Sequence, residues 1–159
     1  MESEQNKQWR LYACGPRCLI ESKRGQAQQL TKEAIIGDFL PRIDWWAKQC
    51  GGSTPDILLD IARHFGLHAH LQVTRDPARI IKSVIAGCTV IAATERSFDD
   101  GALPLYHYSL VESISTAGPA SDSDPYLSLF TSLQDGGDRR WTVRWSELEV
   151  RLPTYVLLC

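Results

Sequence analysis

With 159 residues, 43% of them hydrophobic and 23% charged, the chain has the size and balance of one soluble globular domain spanning residues 1–159. A formal net charge of -2 leaves no basic surplus of the kind that binds nucleic acid or an anionic membrane surface. The opening MESEQNKQWR has no apolar signal core and no apolar run is long enough to span a bilayer, so a cytoplasmic protein with no nucleic-acid and no membrane partner is expected.

Residues 1–13 are expected to run as an extended lead-in. A short helix then starts at Cys14: Gly15 tolerates unusual backbone angles, Pro16 suits a first turn, and CLIES continues it. Thr31 is a plausible cap for a second helix with Glu33 in its first turn. Its pattern passes through AIIGDFL, is interrupted at Pro41 and resumes over IDWWAKQ. After the GGSTP turn, Ser53 or Thr54 caps a helix with Pro55 in the first turn. Ile57, Leu58, Ile61 and Ala62 fall at helical spacing, and Gly66 stops the run. LHAHLQV alternates as a half-buried strand does. Asp76-Pro77 opens another helix, with Ile80, Ile81 and Val84 on one face, ending at Gly87. Beyond it CTVIAATER, HYSLVESIS, YLSLFTS, RWTVRW and TYVLLC are β-rich. QDGGD is a hairpin-type turn and TAGPASDSDP an exposed, mobile loop. Helices in the front half and antiparallel strands in the back half make an α+β arrangement, a helical lobe packed on a sheet with a cleft between them.

The cysteines are Cys14, Cys18, Cys50, Cys88 and Cys159. An odd count without a secretory signal argues for reduced thiols rather than a disulfide framework. Cys88 and Cys159 lie in apolar runs and are expected as packed core residues, Cys50 as a structural residue at a helix end. Cys14 stands apart, because a thiol at a helix N-terminus ionises more readily and becomes a nucleophile. The bland alternative is a small buried hydrophobe. Gln8, six residues earlier, could join the Cys14 backbone N–H in stabilising an oxyanion. Among the histidines, His64 sits near a helix C-terminus, where the dipole favours it. His68 and His70 share one side of a strand and would serve a metal-dependent hydrolase only with further ligands. No paired CxxC accompanies them, so no metal and no cofactor are expected. His107 opens the strand HYSLVESI, where a base can face a helix terminus across a cleft.

QWRLYACGPRCLI resembles the opening motif of the bacterial peptidases that cut after double-glycine leaders. That motif has a Gln, five residues, then Cys-Gly and often a second Cys, matched here by Gln8, Cys14, Gly15 and Cys18. HYSLVESI resembles the second motif of that family, a His opening a hydrophobic strand. The GGST-type turn, the helix after it and the strand GCTVIAA fit as well, so the resemblance spans about residues 8–150. It implies a papain-like fold with Cys14 as nucleophile, His107 as base and Gln8 as oxyanion donor. Two departures stand out. Ala13 occupies the place where an acidic residue is common. At the third catalytic position, alignment of YLSLFTSLQ puts Thr131, with Ser132 next and Asp135 as competitor if its Gly-rich turn folds back toward His107. A threonine there would accept the Nδ1–H of His107 without bringing a charge. The implied function is that of a cysteine peptidase or related acyl-transfer hydrolase acting on a peptide or protein. The alternative is a catalytically impaired papain-like module that binds protein. No GxxxxGK[ST] motif is present, and a free-standing domain is expected.

Overall fold

A computed structural model describes residues 3–45, 54–96, 105–132, 137–147 and 154–159. The chain enters a helix at once. Ser3 accepts a hydrogen bond from the Asn6 N–H at 3.2 Å, and Glu4 lies in the first turn of α1, Glu4–Tyr12. The expected extended lead-in is therefore wrong. EQNKQWRLY consists largely of good helix formers, but its apolar stripe is thin. It takes the burial of Trp9, 6% exposed, to anchor the helix. Ala13 breaks it, and α2, Cys14–Glu21, follows as anticipated. Ser22 closes α2 and caps α3, Lys23–Ala27, by accepting from the Gly25 N–H at 2.9 Å. Next comes α4, Lys32–Trp45, which runs through Pro41 without the expected interruption. An internal proline removes one N–H donor and can bend a helix without ending it. Lys32 Nζ donates to Asn6 Oδ1 at 2.6 Å, tying α4 to α1.

The next elements follow their end signals. Thr54 caps α5, Pro55–His64, accepting from Ile57 N at 3.4 Å. Gly66, at φ 80°, turns the chain toward β1, Ala69–Val73. Asp76 caps α6, Pro77–Ile85, and Gly87, at φ 94°, takes the chain out of it. The remaining strands are β2, Thr89–Arg96; β3, Leu105–Ser115; β4, Tyr126–Ser132; β5, Asp138–Arg144; and β6, Thr154–Leu158. A 3-10 turn, Trp145–Glu147, follows β5.

These strands form one antiparallel sheet in the order β1-β6-β2-β3-β4-β5. The α+β class stands. The sheet is not built from the back half alone, because β1 takes one edge and the last strand, β6, slides between β1 and β2. Tyr155, Val156, Leu157 and Leu158 are all within 1% of full burial, and a strand apolar on both faces belongs inside a sheet. One face, with Ile91, Ala93, Tyr108, Leu110, Phe130 and Val156, packs against buried residues of α1, α2, α4 and α5. The other, with Val90, Ala92, Val111, Leu129 and Leu157, packs against Ile80 of α6. Helices thus lie on both faces, not in a single lobe.

Two further expectations change. Cys88 and Cys159 are joined as a disulfide rather than buried as separate thiols. The register Thr89↔Leu158 sets them opposite each other, a pairing that two residues 71 positions apart give no local sign of. The loop TAGPASDSDP is largely exposed but held: Asp124 accepts from Ser146 N at 2.8 Å and from Ser146 Oγ at 3.0 Å. These bonds hold the Asp124 carboxyl below its usual range. Among the described residues, no helix is long and apolar enough to cross a membrane.

Candidate functional site

Cys14 is the first residue of α2. Its N-cap is Ala13, whose methyl group accepts no hydrogen bond, so the first turn has no side-chain cap. An uncapped N-terminus favours negative charge on a nearby thiol. Cys14 is half-buried and remains a thiol, as does the fully buried Cys18 one turn on. Burial pushes the Cys18 thiol well above its ordinary pKa, and the nearby Cys14 adds to the rise, against a hydrogen bond from the Leu110 backbone. Of this pair, only Cys14 suits nucleophilic work.

Gly15 brings the helix onto the sheet. A Cβ there would lie 3.0 Å from Tyr108 Cδ2 and 3.2 Å from Leu58 Cδ1, so only a glycine lets the backbone sit this close. Gly15 lies against Tyr108, and Cys18 meets Leu110. Helix and strand therefore advance in the same direction, and Cys14 lies toward the end of β3 that carries His107. Tyr108 and Leu110 face α2. Alternation sends His107 to the opposite face with Ser109 and Val111. A thiol–imidazole encounter would take place around the end of the sheet, where β3 begins, rather than over its face.

Thr131 shares that second face with Leu127 and Leu129, as its spacing in the strand requires. It is 2% exposed. Its Oγ1 lies 2.7 Å from His107 Nε2 and 2.8 Å from the Tyr108 carbonyl oxygen. A hydroxyl has one proton, and a carbonyl can only accept. The Thr131 proton is therefore donated to Tyr108, and Oγ1 accepts from His107 Nε2–H. This assigns the tautomer of the neutral imidazole: Nε2 carries the hydrogen, and Nδ1 carries the basic lone pair. The expected contact between Thr131 and His107 is present, but through Nε2 and not Nδ1. The Tyr108 carbonyl, a backbone group that side-chain alignment does not see, fixes the direction of that bond.

Gln8 lies on α1, a helix instead of an extended segment folding back, and its side chain is outside the described residues, as are Asp135 and Cys50. His64 Nε2 pairs with Asp38 Oδ2 at 2.8 Å, with its ring edge-on to Phe39 and Phe65. His70 on β1 and His68 just before it are both exposed. Among the described residues, no group of three or more His, Cys, Asp or Glu could hold a metal. Sequence reasoning missed Arg17, whose Nη2 donates to Asp138 Oδ1 at 2.7 Å, linking the helix that Cys14 opens to the first residue of β5. No local pattern joins residues 121 positions apart.

Comparison with family models, with curated proteins and with solved structures finds no match to this chain.

Proposed function

We propose that the chain is a papain-like cysteine hydrolase that cleaves an acyl bond, most simply an amide in a peptide or protein. The Thr131 hydroxyl between the Tyr108 carbonyl and His107 Nε2 carries this proposal, because it leaves Nδ1 as the base. His107 Nδ1 takes the Cys14 thiol proton, giving a thiolate–imidazolium pair. The sulfur attacks the carbonyl carbon, and the oxyanion is met by the Cys14 backbone N–H and the Gln8 side chain. The imidazolium returns its proton to the leaving amine. Water, deprotonated by the same Nδ1, then releases the acyl group and restores the thiol.

Thr131 carries no charge, which favours a second proposal: a papain-like module that binds protein with little or no turnover. One experiment separates the two. Limiting iodoacetamide at about pH 6.5, below the ordinary thiol range, is expected to label Cys14 before Cys18, and His107→Ala is expected to slow that labelling about tenfold or more. Labelling of Cys14 that is indifferent to His107 would remove the hydrolase and leave the binding module. The sequence also suggests a cytoplasmic location. The Cys88–Cys159 bridge weighs against it, since disulfides persist in oxidising compartments.

A further inference from the structure

Arg17 lies on α2 one turn after Cys14. Asp138 opens β5, directly opposite Ser132, and Ser132 follows Thr131 on β4. The 2.7 Å ion pair between Arg17 and Asp138 is a polar link between α2 and the β4–β5 hairpin. Its side chains are 23% and 41% exposed, so it contributes little to overall stability. Its place is what sets it apart: one end is on the helix that Cys14 opens, the other on the strand paired with the one that carries Thr131. Helix α2 packs on one face of the sheet, while His107 and Thr131 belong to the other. Apolar packing of α2 against Tyr108 and Leu110 holds the helix to β3. The pairing of β3 with β4 runs only as far as Leu110↔Phe130, so Thr131 and Ser132 lie beyond it, at the end of the hairpin that Asp138 ties to α2.

We propose that the Arg17–Asp138 pair is a positioning device that locks the β4–β5 hairpin to the nucleophile helix, keeping the Thr131-oriented imidazole in reach of Cys14. The proposal rests on the dyad proposed above. Neither residue touches the reacting atoms.

Asp138→Ala distinguishes positioning from simple charge. If Arg17 acted only as a positive charge near the thiol, loss of Asp138 would leave that charge unneutralised and speed Cys14 alkylation. If the pair positions, Asp138→Ala and Arg17→Ala both slow alkylation by roughly five- to tenfold, as a small misplacement does. The double variant is then no slower than either single one. Asp138→Glu, which keeps the tie, restores most of the rate. The control is Arg140→Ala, which breaks the Arg140–Glu112 pair at 3.1 Å on the same hairpin and leaves alkylation unchanged. Faster alkylation in Asp138→Ala, additive losses in the double variant, or no rescue by Asp138→Glu would each overturn the proposal. Pair variants that match the wild type while His107→Ala is slow would overturn the positioning device alone. Alkylation indifferent to His107→Ala would overturn the dyad and this device together.

Discussion

Thr131 has one hydroxyl proton and two partners, and that imbalance sets the tautomer of a neutral His107. Judged from sequence as an uncharged stand-in for a carboxylate, it would be dispensable. With both bonds present, its removal has two costs: the imidazole loses its orienting acceptor, and the Tyr108 carbonyl loses a buried donor. Thr131→Val, which keeps the shape, is expected to slow Cys14 alkylation by about tenfold and to destabilise the fold by about 1–3 kcal/mol. Thr131→Ser keeps the hydroxyl and should stay near wild type in both. Thr131→Asn offers an amide oxygen to Nε2–H and should keep or raise the rate. Urea unfolding run beside the alkylation assay checks all three; a serine variant that behaves like the valine one would show that the methyl group, not the hydroxyl, matters here.

Three helical glycines of similar appearance in the sequence meet different surroundings. Gly15→Ala pushes a methyl group against Tyr108 and Leu58 and should cost about 1–3 kcal/mol while lifting α2 from β3. Gly25→Ala would drive its Cβ into the Leu19 carbonyl oxygen, a rigid obstacle, and should cost about 3 kcal/mol or more. Gly37 sits in α4 with nothing within 4 Å, so Gly37→Ala should stabilise by about 0.5–1 kcal/mol. Denaturant midpoints in the order Gly37→Ala, wild type, Gly15→Ala, Gly25→Ala would bear this out; a neutral Gly25→Ala would refute the close approach of α3 to α2. The elements themselves were legible where an end signal coincided with a periodic face. Thr54 with Pro55 and Asp76 with Pro77 marked α5 and α6. Helix α1 had no such face, and its helicity comes from the Ser3 cap and from packing of Trp9.

The sheet is the common wall of two cores, and Tyr155 lies inside it, 1% exposed and stacked on Trp145. Burial pushes its phenol up to about 12 from an ordinary value of 10, with nearby Arg75 working the other way. Because the folded value is raised, the stability held by the neutral phenol is fully present below about pH 10 and is lost as pH rises toward 12. The loss should approach about 2–3 kcal/mol, and Tyr155→Phe should remove this part of the alkaline slope. Urea unfolding across that range tests it, and an unchanged slope in the phenylalanine variant would assign the alkaline loss to other groups. By itself the sequence determined the strands and the helices α2, α5 and α6, the face of Thr131 and the helix-start position of Cys14, because periodicity, caps and glycines act over a few neighbouring residues. Only the tertiary structure decided the place of β6 inside the sheet, the Cys88–Cys159 bridge, the Arg17–Asp138 tie and the nitrogen by which His107 meets Thr131. Each of these joins groups brought together by register and packing across long stretches of chain. The direction of that last bond also turns on a backbone carbonyl, which has no letter in the sequence.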